Sequence, residues 1–375
     1  MTDTTDLLIG EIDTRLARAR TRSLDISFNE LLDMQVDNEL IISPDYQRLF
    51  RWDTVKQSRF IESILLEMPI PPIYVIELSD NKYELIDGLQ RISTWMHFRG
   101  RHPLRVDPSG AFQSLTLEEC DVVSKLNGLT YDTLPSSLRV KLKRHFIRVE
   151  VIRKESDPRL RYYMFKRLNT GGEQLSEQEV RNCTIRLLGP AFNDLVVELA
   201  KDEAFVTLTE GLSETKIERM YREELVLRFF AFKNFRTHYD HIVGEFLSHY
   251  MERVSDPADQ AVGFDFDAES ANFRRTMAML LASIGDRAFS TVTKTGTITT
   301  TFSVYHFEAL TQGIQSCLDR LDMSDVAKMR DLGESLTSIK KSSELREVVI
   351  GGGQNYRDPL ERRIAIVAQS IGALV

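Results

Sequence analysis

The 375-residue chain has only three cysteines, Cys120, Cys183 and Cys317, odd in number and without CxxC spacing. That excludes a disulfide scaffold, and free thiols in a reducing cytoplasm are the simple expectation. No apolar run approaches the length of a bilayer span, and residues 1–6 carry acids without Lys or Arg. Neither membrane insertion nor secretion is therefore expected. Also missing are a GxxxxGK[ST] phosphate loop, an HExxH metal helix and a GxSxG nucleophile elbow. His238, His241 and His249 share a helical region, but no cysteine or compact acidic set completes a zinc site. The net charge of −8 argues against a protein that coats nucleic acid. What is present, 42% hydrophobic and 28% charged residues, is ordinary for a globular chain long enough for two domains.

The charge is unevenly spread. Between Arg139 and Arg167 lie eleven Lys or Arg residues against Glu150, Glu155 and Asp157, so this segment is +8 and the remainder −16. A basic stripe on an acidic body is an electrostatic footprint for phosphate, and Lys141, Lys143, Arg144 and Arg148 are its candidate DNA contacts. A solvated face with local ion pairs would produce the same stripe.

The pentapeptide Asp87-Gly88-Leu89-Gln90-Arg91 follows an apolar run at 83–86 and opens a helical pattern ending near Phe98. A strand passing through Asp-Gly directly into a helix leaves the first helical N–H groups without internal partners, at the positive end of the dipole. That is a seat for an anion, typically phosphate. Gly88 lets backbone approach a ligand, and Arg91, one turn in, carries a planar fork suited to phosphate oxygens. A purely structural strand–turn–helix would also explain the pentapeptide. Upstream, Pro44-Asp45-Tyr46-Gln47-Arg48 and Arg51-Trp52-Asp53 precede an amphipathic helix with Phe60, Ile61, Ile64, Leu65 and Met68 on one face. Thr54 and Gln57 have capping-box spacing at its start. Pro69-Ile70-Pro71-Pro72 ends it, and 73–78 with 83–86 read as an antiparallel hairpin about a turn at 79–82. Ile147, Val149 and Val151 alternate with charged residues, which predicts another strand of the same sheet.

Further on, Asp157-Pro158 opens a helix expected to run to about Leu168, ended by Asn169-Thr170-Gly171-Gly172. Ser176 and Glu179 then have capping-box spacing. From 177 on the pattern is helical, with 217–229 reading as one continuous helix and threonine-rich 289–302 as a loop or small hairpin.

Two groups of residues carry a resemblance. The run Tyr46-Gln47-Arg48, Trp52, Pro69-Ile70-Pro71-Pro72, hairpin, Asp87-Gly88-Leu89-Gln90-Arg91 is similar to the N-terminal domain of GmrSD-type modification-dependent restriction enzymes, a branch of the ParB/sulfiredoxin-like superfamily. Asn169-Thr170-Gly171-Gly172 with Leu175-Ser176 and Glu179-Val180-Arg181-Asn182 resembles that family's second signature. The expected fold is α+β. It comprises an extension over 1–24, a ParB-like α/β domain with a small mixed sheet over 25–172, and an all-helical domain over 173–375.

The resemblance implies a nucleoside triphosphate and Mg²⁺ as cofactors, DNA as a partner, and a cytoplasmic place in a prokaryotic restriction or anti-phage system. It leaves room for a separate nuclease or defence protein as partner and for self-association. Asp87, Gln90 and Arg91 are then expected to be catalytic, with Asp87 and Glu84 holding the metal. Gln47, Arg48, Gly88, Arg91, Asn169, Thr170 and Gly171 are expected around the nucleotide. Gln90 would orient the attacking water. The family's usual motif is Asp-Gly-Gln-Gln-Arg, so Leu89 removes one polar side chain, which puts hydrolysis in more doubt than binding. Sulfiredoxin chemistry is disfavoured because no cysteine lies near this loop. Nor do these residues contain the His/Asn/Asp cluster of the His-Asn-His nuclease domain carried by larger relatives. Two alternatives stay open: a non-catalytic sensor of modified DNA using the basic stripe and Trp52, and a nicking endonuclease centred on Asp87.

Overall fold

The computed structural model describes residues 8, 20–42, 50–103, 105, 110–156, 163–164, 176–259, 262–293, 295–351 and 353–372. The chain divides into two compact units, Met1–Gly172 and Glu173–Val375.

The first unit is built on a five-stranded mixed sheet of order β1-β5-β3-β4-β2. Its strands are β1 (Thr21–Ser27), β2 (Leu40–Ile41), β3 (Ile73–Glu77), β4 (Tyr83–Asp87) and β5 (Phe146–Ile152). β1 begins before the expected domain start at 25. β5 runs antiparallel to β1 and parallel to β3, β3 is antiparallel to β4, and β4 is parallel to β2. Central β3 buries Ile73, Val75 and Ile76, so both of its faces are covered. β5 alternates as its sequence predicts, with Ile147, Val149 and Val151 buried and Phe146 and Arg148 exposed.

Ser27 ends β1 and caps helix α1 (Phe28–Val36), its hydroxyl accepting from the Glu30 N–H at 3.1 Å. α1 lays Leu31 and Met34 over Leu24, Ile26, Val75, Val149 and Val151 of the sheet. Its first residue, Phe28, is fully buried and meets Trp95 at 5.4 Å and Phe60 at 6.1 Å between ring centroids. Those partners lie on α2 (Thr54–Leu65) and α3 (Leu89–Phe98), so three helices share one aromatic node. Burying such a ring stabilises by about 2–3 kcal/mol. The cap of α2 is Asp53, whose carboxylate accepts from the Lys56 N–H at 2.7 Å, and not the Thr54–Gln57 box expected from spacing. Gln57 is buried and engaged elsewhere. α2 stops at Leu65, and Met68, expected on its apolar face, is exposed beyond it.

The second unit is a helical assembly. Its helices include α5 (Glu177–Thr184), α9 (Tyr221–Asn234), α10 (Val243–Ser255), α11 (Phe266–Ile284), α12 (Val304–Gly313), α13 (Val326–Lys341) and α15 (Arg357–Gly372). Residues 225–232 of α9 are all buried, as expected for the central helix of a bundle. Phe229, Phe230, Phe205 and Phe273 pack around it edge to face. The expected continuous helix over 217–229 is broken, because Met220 takes a left-handed conformation (φ 59°) between α8 (Glu214–Glu218) and α9. The threonine-rich stretch is the hairpin of β6 (Ser290–Val292) and β7 (Ile298–Phe302), the exception to an otherwise helical unit.

Candidate functional site

β4 delivers Asp87 to the start of α3 through Gly88, which caps the helix at φ 110°. Glycine is required there on two counts. The conformation is one that side chains disfavour, and a Cβ would lie 2.8 Å from Ile73 Cγ1. Both requirements are met before any ligand is considered. Among the described residues no side chain caps the N-terminus of α3, the positive end of its dipole.

The strand carries a further device. Glu84 pairs with Ile76 and Leu85 with Val75, but Asp87, not Ile86, pairs with Tyr74. Cross-strand partners point to the same face, and successive residues to opposite faces. The one-residue bulge therefore turns Asp87 onto the face shared by Tyr74, Ile76 and Glu84, where unbroken alternation would have sent it to the other side. Two carboxylates thus share one face at the end of β4, roughly 7 Å apart along the strand.

Arg91 reaches back one helical turn to Asp87, with Nη2 2.8 Å from Oδ2, and the same nitrogen donates to the Pro72 carbonyl at 3.0 Å. The arginine side chain is 13% exposed and the aspartate 34%. Among the described residues only Nη2 is engaged, and Nε is buried without a partner. The guanidinium is therefore aimed by one nitrogen while Nε and Nη1 keep their donor capacity.

Gln90 behaves otherwise. Its Oε1 accepts from the backbone N–H groups of Arg51 and Trp52, each at 3.1 Å. An oxygen holding two N–H groups is a tether for the 51–52 segment. The tether continues. Gln57 Nε2 donates to the Trp52 carbonyl at 2.7 Å, and Gln57 Oε1 lies 2.8 Å from His97 Nδ1. A carbonyl can only accept, so the amide nitrogen of Gln57 must face Trp52 and its oxygen must accept from His97. That fixes the neutral His97 with its proton on Nδ1. Burial, reinforced by Arg105, pulls the His97 pKa down to about 4. His102 is likewise lowered to about 4 by burial, His97 and Arg105. Sequence reasoning missed this relay, although Gln57 shares the i, i+4, i+7 stripe with Ile61 and Ile64, and an amide on a core stripe signals a buried network.

Leu89 is 3% exposed, so the residue that departs from the usual family motif belongs to the core and not to the seat around Arg91. Gln47, Arg48, Asn169, Thr170 and Gly171, together with the helix expected from Asp157, lie outside the described residues apart from 163–164. Among the described residues, no group of three or more His, Cys, Asp or Glu is arranged to hold a metal ion. The pair Glu84 and Asp87 would suit Mg²⁺, which needs only one or two carboxylates beside phosphate and water oxygens.

The basic stripe separates into two kinds of residue. On α4 (Ser136–Arg144), Lys141 pairs with Glu67 at 2.9 Å and lowers the pKa of that carboxyl, while on β5 Arg148 pairs with Asp25 at 3.2 Å. Arg153 is drawn to Glu77 and Glu155. Lys143 and Arg144 are exposed, with no ion pair among the described residues.

Residues 28–186 match the family model described as GmrSD restriction endonuclease, N-terminal domain. This stretch is a GmrSD-type N-terminal domain. No curated protein and no solved structure matches the chain. The family's description places the domain in restriction, a defence that acts on DNA. The second GmrSD-like signature has a structural task. Ser176 and Glu179 form a complete capping box on α5. Arg181, nearly fully buried, pairs with Glu224 at 3.0 Å and donates to the Gly244 carbonyl, and Asn182 accepts from Gln178 at 2.7 Å. Glu224 and Glu308 carry this network on through Arg228 to Arg363. Among the described residues, no helix is long and apolar enough to cross a membrane.

Proposed function

We propose that the GmrSD-type domain binds a nucleoside triphosphate at the β4–α3 junction and hydrolyses it in the service of DNA restriction. The observation that carries this reading is Arg91: among the described residues, a guanidinium held through Nη2, with a buried unpartnered Nε, one turn into a helix without a side-chain cap. Phosphate oxygens would accept from the donors left on the guanidinium and meet the positive end of α3. Glu84 and Asp87, brought to one face by the bulge, would hold Mg²⁺. When bound, the ion neutralises charge developing on the phosphates. Asp87 also orients Arg91, so removing either carboxylate or guanidinium loosens the other. Gln90 keeps the Arg51–Trp52 segment against the start of α3. Gln47, Arg48, Asn169, Thr170 and Gly171 belong to the same proposal as further nucleotide contacts.

The DNA-facing part of the reading rests on Lys143 and Arg144, exposed cations without an ion pair among the described residues. Lys141 and Arg148, already paired with Glu67 and Asp25, would contribute less. A separate nuclease or defence protein belongs to the same proposal as a partner.

Phosphate release from each triphosphate, with and without Mg²⁺ and DNA, tests the proposal. Turnover that requires Mg²⁺ and disappears in Arg91→Ala is the expected result. Metal-dependent relaxation of supercoiled plasmid without triphosphate, lost in Asp87→Ala, would replace it by a nicking mechanism.

A further inference from the structure

Phe146 is 63% exposed, at the first position of β5. A single exposed ring is ordinary on a protein surface, and what sets this one apart is its setting. Lys143 and Arg144 lie three and two residues before it, and Arg148 follows on the same face of β5. The ring stands on rigid backbone, because Phe146 pairs with Ser27 of β1 and the His145 carbonyl accepts from the Phe28 N–H at 3.2 Å. Neighbouring Ile147 is buried, so the strand had an inward face available and Phe146 lies on the other. Nothing aromatic or apolar in the stripe's expected role as a phosphate footprint calls for a ring there.

We propose that Phe146 is a stacking platform for an unpaired DNA base, with Lys143 and Arg144 holding the adjoining phosphates. This rests on the DNA-contact part of the reading above and goes beyond it by naming the form of DNA bound. Bases in a duplex hide their faces, whereas a single strand or an extruded nucleotide offers them to an aromatic ring beside cations. The charge fits: Lys143 and Arg144, without an ion pair among the described residues, meet a polyanion, while on this face Asp25 is paired with Arg148 and Glu150 accepts from the Ser23 hydroxyl.

Fluorescence anisotropy on the full chain, with a labelled single strand, its duplex and the RNA of the same sequence, tests the inference. The single DNA strand binds tighter than the duplex. Phe146→Ala weakens single-strand binding roughly 5- to 100-fold, while duplex affinity and the salt slope stay put. Phe146→Trp retains the affinity. Lys143→Ala and Arg144→Ala weaken both DNA forms, and each lowers the single-strand salt slope by about 0.7. Single-strand affinity unchanged in Phe146→Ala, or duplex and single strand weakened alike, would overturn the stacking role while leaving DNA contact intact. Binding to neither form overturns both readings, and tighter binding to the RNA overturns the assignment to DNA. Because the ring is exposed, Phe146→Ala should melt with the wild type.

Discussion

Gln90 gives the sharpest contrast between chemistry and architecture at this site. In Gln90→Leu the backbone N–H groups of Arg51 and Trp52 lose the oxygen that both reach at 3.1 Å. Each such bond contributes about 1 kcal/mol net, and a part-buried donor left without a partner costs somewhat more. The substitution should therefore destabilise the domain by roughly 2–3 kcal/mol. For a unit of this size that is a drop of about 5–10 °C in melting temperature. Gln90→Glu keeps an acceptor for both N–H groups and should recover most of the loss. Thermal unfolding followed by fluorescence is a suitable assay. The chain has two tryptophans, and half-buried Trp52 sits on the tethered segment while Trp95 is buried. A Gln90→Leu protein that melts within a degree of wild type yet loses turnover would refute the tether and return Gln90 to the chemistry.

Leu89→Gln, which restores the usual family motif, should lower stability by about 1–3 kcal/mol because it buries an amide in the core, and a melting curve shows it. The pH dependence has a definite sign. His97 and His102 fold with pKa values near 4 against an ordinary 6.5, so the stability of the neutral state is fully present above pH 6.5 and is lost as pH falls toward 4. Urea titrations across that window should show the decline, and His97→Gln should flatten it. Glu224→Ala removes one carboxylate shared by Arg181 and Arg228, which keep Glu177 and Glu308, with an expected cost of about 1–3 kcal/mol read by denaturant midpoint.

Much of this architecture is legible in the sequence because it is local. Period-2 alternation marks β5, the proline run after Met68 separates α2 from β3, and Ser176 with Glu179 forms the capping box that its spacing announces. The misses are cases where a longer-range partner decides. Asp53 takes the cap of α2 because Gln57 is drawn inward to Trp52 and His97. Met220 breaks a helix that periodicity would continue, and Asn182 donates to its sulfur. At the site, the Asp87–Arg91 contact follows from i, i+4 spacing on a helix start. The bulge that turns Asp87 toward Glu84, and the burial of Leu89, depend on strand register and on packing that the pentapeptide does not encode. Charge counting marked the basic stripe, but the partners Glu67 and Asp25 distinguish Lys141 and Arg148 from Lys143 and Arg144, which have no ion pair among the described residues.

The central claim is the phosphate seat at Arg91, and calorimetric titration with each nucleoside triphosphate, with and without Mg²⁺, addresses it directly. Arg91→Ala should lose about 2–3 kcal/mol of nucleotide affinity, the range of a charge-assisted contact, in a protein shown by circular dichroism to remain folded. Equal affinity in wild type and Arg91→Ala would contradict the account.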